Sequence, residues 1–246
     1  MTRIRTTPLL CELHAHTTWS DGALGLPELV DLYGRSGFDV LAVTDHTVRT
    51  DEDGDEGGPR HVHAGNHAAY LDAIRAEADR ARAEYGLLLL PGLELTYDDV
   101  DPALGAHAVA VGLEHFVGVD LGIDVALERA RAAGAALIAA HPYAPDQADG
   151  AWRRTARFAC EWQELRLFVD RFELFNRHEF FGWVAEAGLP AVANGDFHRL
   201  EHLATWKTMI PCEQDAEAVV EYLRSSRPAY LVQLGTPAEE RQTRAA

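Results

Sequence analysis

The chain predicts an α/β fold on a parallel sheet, and three observations carry that expectation. Short apolar, β-branched runs recur along it, helical patterns separate most of them, and glycines fall where helices should end. Strands that alternate with helices need crossover connections, which give parallel neighbours.

The first run, LLCELHAHT, is followed by SDG and the helical pattern LPELVDLYGRSG, which Gly34 and Gly37 close. FDVLAVTDH reads as the second strand. The polar, acidic, glycine-rich stretch from Thr47 to His67 is long enough for a lid at the same rim. HAAYLDAIRAEADRARAEYG is a helix, and LLLLPGLELTY and AHAVAVGL are strands. The twelve residues between Glu94 and His107, with Asp-Pro at their middle, suit a β-hairpin turning near Val100 and Asp101. That register would set Glu94 opposite His107, with Cβ atoms about 4.5–5.5 Å apart. DVALERARAAG, the amphipathic stretch around Trp152 to Phe168, and HEFFGWVAEAGLP read as helices, and AALIAAHP, RFELFN and LPAVANGDFH as strands. A closing helix and short strand, DAEAVVEYLRSSRPAYLV, complete a domain expected over residues 1–235, with 236–246 a disordered tail.

Composition narrows the function. The 246 residues, 47% hydrophobic, suffice for one continuous core. Lys+Arg 22 against Asp+Glu 39 gives a net charge of −17, which repels nucleic-acid backbones and anionic membranes, so no stable nucleic-acid binding is expected. No stretch reaches the roughly 18 apolar residues of a membrane span, and the N-terminus lacks a signal-peptide core, so a soluble cytoplasmic protein is expected. Cys11, Cys160 and Cys212 lie far apart without a CxxC pair, which points away from disulfides or thiolate zinc. Oligomeric state is not legible.

The chemistry sits at the strand ends. His14, His16, Asp21, Asp45, His46, Glu94, His107, His141, Asp196 and His198 all fall there. In a parallel barrel those ends form one face, where distant residues converge. Residues i and i+2 of a strand share a side, so His14 with His16, and Asp196 with His198, form same-face pairs while Ala15 and Phe197 point away. His61-x-His63 in the polar loop shows that one His-x-His means little alone. Six histidines with Asp21, Glu94 and Asp196, without thiolate, suit divalent ions such as Zn(II), Mn(II) or Fe(II). Asp45 is a candidate to orient a histidine, although capping a turn would serve equally. His178 in FNRHEF is a candidate substrate contact, and Arg177 and Arg199 flank strand ends where they could pair with phosphate.

The ordered motifs HAH, SDG, TDH, GLE, AHAVAVGL, AHP and GDFH, from Leu13 to His198, resemble the polymerase and histidinol phosphatase (PHP) superfamily of metal-dependent phosphoesterases. The resemblance implies a distorted (β/α)7 barrel holding up to three metals. It assigns one ion to His14, His16, Glu94 and Asp196, a second to Glu94, His107 and His141, and a third to Asp21, His46 and His198. It also implies water attacking a phosphoester from a hydroxide bridging the ions that share Glu94, with Glu94, Asp196 and His198 central to catalysis. Family members acting on nucleotide bisphosphates and short RNAs carry a helical insertion after the strand matching AHAVAVGL, which this chain lacks. A small phosphomonoester is therefore the expected substrate, with a cyclic phosphodiester or an amidohydrolase-like C–N or C–O hydrolysis as alternatives. A noncatalytic accessory role is disfavoured, since no ligand is missing.

Overall fold

The computed structural model describes residues 7–50, 61–147 and 155–235. Residues 51–60 of the acidic loop expected to form a lid, and the tail 236–246, lie outside these residues. The strands are β1 (Leu9–Glu12), β2 (Val40–Val43), β3 (His46–Thr47), β4 (Leu88–Tyr97), β5 (Ala106–Val111), β6 (Ala136–Ala140), β7 (Arg171–Asn176), β8 (Glu179–Phe180), β9 (Ala191–Asn194), β10 (Trp206–Ile210) and β11 (Tyr230–Gln233). The helices are α1 (Leu26–Arg35), α2 (His67–Tyr85), α3 (Ile123–Ala132), α4 (Arg157–Cys160), α5 (Trp162–Leu165), α6 (Gly182–Glu186) and α7 (Ala216–Arg224).

All eleven strands join one mixed α/β sheet, whose main path runs β11-β10-β1-β2-β4-β5-β6-β7-β8. β1, β2 and β4 run parallel in turn, as do β6, β7 and β9. Between these parallel sets, β5 is antiparallel to both β4 and β6, so the strand-helix alternation read from sequence fails there. The β4–β5 hairpin forms, but two residues out of the expected register: Glu94 faces Val109, and His107 faces Thr96. A slip of two preserves side-chain face, so both side chains still reach the site. The helix expected over HEFFGWVAEAGLP begins only at Gly182, because Glu179 and Phe180 turn back to pair with β7.

The sheet curls until its far parts meet. Ala15 and Phe197 form a parallel bridge, with His16 N–H donating to the Phe197 carbonyl (2.9 Å) and Phe197 N–H to the His14 carbonyl (3.1 Å). One apolar cluster takes Leu9, Cys11 and Leu13, Val40 and Ala42, Val109 and Val111, and Ile138 from strands all around the curl, and α7 covers it with Val219, Tyr222 and Leu223. A second cluster joins α1, α2 and α3 to the other face, through Leu29, Tyr33, Tyr70 and Leu127 against Leu41, Val43 and Leu93. Burying both faces is why these strands read as continuous apolar runs.

Candidate metal centre

Beyond β1 the chain stays extended, and the Ala15–Phe197 bridge fixes the two same-face pairs side by side: His14 with His16, and Asp196 with His198. Ala15 and Phe197 are buried in the outer apolar cluster, as the period-two reading requires. β3 places His46 in register with Glu94. Asp21 returns to the site through a turn in which Ser20 and Gly22 N–H both donate to the Thr17 carbonyl. Gly22 has no alternative there, since a Cβ would lie 2.3 Å from the His16 carbonyl oxygen.

The six histidines and three carboxylates converge into four overlapping groups: His14, His16 and Glu94; His14, His141 and Asp196; Glu94, His107 and His141; and His16, Asp21, His46 and His198. Glu94 is the hub. Its Oε1 lies 3.1 Å from both His107 Nδ1 and His141 Nε2, and its Oε2 lies 3.4 Å from both His14 Nε2 and His16 Nε2. Asp196 Oδ1 stands 3.6 Å from His14 Nε2, 3.4 Å from His16 Nε2 and 3.2 Å from His198 Nδ1. Asp21 lies 3.1 Å from His198 Nε2 and 3.4 Å from His46 Nε2.

Whether these atoms suit a cation can be tested directly. His14 Nε2, His16 Nε2 and Glu94 Oε2 are buried and make no well-formed hydrogen bond, although His46 Nδ1 stands 2.8 Å from Glu94 Oε2. Leaving buried polar atoms unpaired is costly. Tetrahedral coordination at about 2.1 Å would set ligand atoms about 3.4 Å apart, close to the spacings here. The donor set fits divalent ions. Three non-glycine residues have left-handed backbone, His141 (φ 28), Arg177 (φ 53) and Asp196 (φ 43), and all three stand at this centre. Strain of this kind concentrates at functional sites.

The buried carboxylates and histidines hold one another charged. Burial opposes ionisation of Glu94, yet His46 and His14 and the hydrogen bonds from His107 and His14 hold it well below the usual carboxylate range. Asp196 is held low in the same way, chiefly by His14 and bonds from His16 and His198. Burial pulls His107 down, but bonds to Asp98 and Glu94 outweigh it and lift the ring to about 9. His198 also rises to about 9, where Asp196 and Asp21 overcome burial. His16 falls to about 3, because burial is reinforced by the neighbouring His46 and His198.

The remaining candidates divide. Asp45 does not touch a histidine. Its buried carboxylate accepts from the N–H and hydroxyl groups of Thr17 (2.8 and 2.9 Å) and Ser20 (3.0 and 2.6 Å), so it braces the turn that carries Asp21. Arg177 grips Asp196, with Nη2 2.9 Å from Oδ2 and the guanidinium donating to the Asp196 carbonyl. Arg199 is exposed and paired with Glu201 at 2.8 Å, and His178 is exposed in the β7–β8 turn, outside the ligand groups.

Two carboxylates escaped the sequence reading. Glu173 is fully buried and accepts four donors: His14 Nδ1 (3.0 Å), His141 N–H (2.7 Å), Asn176 Nδ2 (2.8 Å) and Asn194 Nδ2 (2.9 Å). Asp98, at the hairpin, meets His107 Nε2 at 3.1 Å. Glu173 left one signal, a charge inside the apolar run RFELFN, where a buried carboxylate must find donors.

No protein-family model matches the chain. Its fold is similar to that of a two-domain protein from Bacteroides vulgatus ATCC 8482, described as containing a predicted PHP-like metal-dependent phosphoesterase, at a TM-score of 0.67 and 21% identity. That likeness covers 93% of this chain and 65% of the other, so the chain spans less than two thirds of its neighbour's length. An amidohydrolase from Chromobacterium violaceum, with bound sulfate and no metal, is similar at a TM-score of 0.52 and 16% identity, over 93% of this chain and 99% of that one. In sequence, 90 residues are 32% identical to the DNA polymerase/3'-5' exonuclease PolX of Bacillus subtilis, covering 36% of this chain but only 15% of PolX. The fold is thus PHP-like, as the order of motifs implied, and it carries a centre whose donors suit divalent metal. Among the described residues no helix is long and apolar enough to cross a membrane.

Proposed function

We propose that this chain is a metal-dependent hydrolase of phosphoesters, acting on a small phosphomonoester at a three-ion centre in a distorted (β/α)7 barrel. The observation that carries the reading is the convergence of His14 Nε2, His16 Nε2 and Glu94 Oε2, all buried, with each ring nitrogen 3.4 Å from the carboxylate oxygen and neither nitrogen in a well-formed hydrogen bond. His14, His16, Glu94 and Asp196 would hold one ion; Glu94, His107 and His141 a second; Asp21, His46 and His198 a third. Zn(II), Mn(II) and Fe(II) all suit these donors. When bound, such ions lower the pKa of water and neutralise charge on a transferring phosphoryl group.

The chain's own residues supply order. Glu94 spans two of the groups and keeps its charge. Glu173 takes the Nδ1 proton of His14, which turns the Nε2 lone pair toward the centre. Arg177, locked to Asp196 and partly exposed, offers a fixed guanidinium to a phosphate oxygen. Asp21, half-exposed, stands at the open side of the cluster where a substrate would arrive.

The test is a screen of phosphomonoesters, cyclic phosphates and amides on metal-reconstituted protein, with metal content measured in parallel. Turnover of monoesters with at least two ions per chain is expected. Turnover confined to amides would transfer the site to the amidohydrolase reading, and fewer than two ions under replete conditions would remove the centre.

A further inference from the structure

Beside the centre lies a buried charge pair that the proposed reaction does not use. Glu12, the last residue of β1, and Lys207 of β10 are both fully buried, with Lys207 Nζ 2.9 Å from Glu12 Oε2. Stability is a poor explanation for such a pair, because removing two charges from water costs about as much as their attraction returns. Its contacts suggest a different role. Glu12 accepts from Gly195 N–H at 2.9 Å, from the Tyr33 hydroxyl at 3.0 Å and from His14 N–H at 3.3 Å. Lys207 donates to the His202 carbonyl (3.0 Å) and the Thr205 hydroxyl (2.7 Å). His202 in turn accepts the His198 N–H on Nδ1 at 3.0 Å.

These bonds end on backbone next to three of the metal-suited residues: His14 itself, Gly195 before Asp196, and the His202 segment that holds His198. The fit is tight at Gly195, where a Cβ would lie 2.2 Å from Lys207 Nζ and 2.4 Å from Glu12 Oε2. Asp196 follows immediately with φ 43, a conformation that an L-residue keeps only when its surroundings enforce it. Glu12 fixes the peptide on one side of Asp196, and Arg177 grips its carbonyl on the other.

We infer that Glu12 and Lys207 are positioning residues, whose ion pair clamps the Gly195–Asp196 turn so that Asp196 and His198 face the cluster in ion-ready orientation. This rests on the metal-centre reading above. It goes further in separating the ions: those held by Asp196 and by His198 depend on the clamp, whereas the group Glu94, His107 and His141 does not.

Wild type, Glu12→Gln, Lys207→Met and the double variant Glu12→Gln/Lys207→Met would be reconstituted with Mn(II), with Asp196→Asn as reference. Affinity would be read by chelator competition, occupancy by metal analysis and folding by circular dichroism and Tm. The double variant leaves neither charge orphaned and serves if a single one fails to fold. Expected are folded variants in which the ions held by Asp196 and by His198 weaken about 10- to 100-fold, as for an outer partner of a ligand. One tight ion, at Glu94, His107 and His141, should remain, whereas Asp196→Asn should weaken the Asp196 ion alone. A folded variant with lowered Tm and wild-type Mn(II) affinity at every site would overturn the inference, leaving the pair a purely structural element. Wild type binding fewer than two ions would instead overturn the centre itself.

Discussion

His14 Nδ1 lies 3.0 Å from Glu173 Oε1, both side chains fully buried and 159 residues apart in sequence. Glu173 also binds His141 and Asn194 from two other segments and Asn176 of its own strand, so it sets the ring's orientation and the loop after β6 together. Glu173→Gln keeps the size but offers one acceptor oxygen where four donors converge, and its amide NH2 must face others. Metal affinity should fall about 10- to 100-fold. Chelator competition on the folded variant checks this, and unchanged affinity would count against an orienting role.

Glu94→Gln should have the larger effect. Glu94 faces five histidines through its two oxygens, and neutralising it removes the charge shared by two groups. Metal content should drop by at least one ion per chain, and hydrolysis by more than the roughly 10- to 100-fold cost of losing an outer partner. Wild-type turnover in that variant would sink the phosphoesterase proposal.

Protons and metal should compete. Without metal, His107 and His198 carry folded pKa values of about 9, raised above the ordinary histidine value near 6.5. Each raised histidine adds stability that is fully present below pH about 6.5 and lost as pH climbs through about 9. The metal-free protein should therefore lose Tm across that window. Metal binding needs both rings neutral, so affinity should rise over the same range, with protons released at pH 7.5. Calorimetric titrations in buffers of different ionisation enthalpy count those protons, and none released would contradict the assignment.

Gly22→Ala should damage the site from outside it. The added Cβ must push the His16 carbonyl or open the Thr17–Gly22 turn, at a cost of about 1–3 kcal/mol. Asp21 would swing away from His46 and His198. A lower Tm with weakened binding at that group alone is expected; wild-type values for both would show that the turn adapts.

The candidate ligands were legible because a curled sheet collects strand ends at one rim, and a histidine or carboxylate at the margin of an apolar run has few other uses. His14, His16, Glu94 and His107 illustrate this. What escaped is decided between strands. The slip of the β4–β5 hairpin depends on a connection whose shape the Asp-Pro motif alone does not set. The antiparallel pairing of β5 with β6 escaped because a helix between two strands reads as a parallel crossover. Glu173, Glu12 and Lys207 are single charges within apolar stretches, and only the folded neighbours show that each is fully partnered. Asp45 had the right neighbourhood and another task, because the nearest free donors belong to Thr17 and Ser20.

The Ala15–Phe197 bridge also bears on the order of assembly. His14 and His16 leave the ribosome some 180 residues before Asp196 and His198, and that bridge aligns the two pairs. Closing so long a loop carries entropy that local contacts cannot offset beforehand. The seam should therefore be among the last parts of the sheet to form. A divalent ion caught between the early histidines and the late aspartate would act as a clasp, drawing the two margins of the sheet together while the protein is still being made.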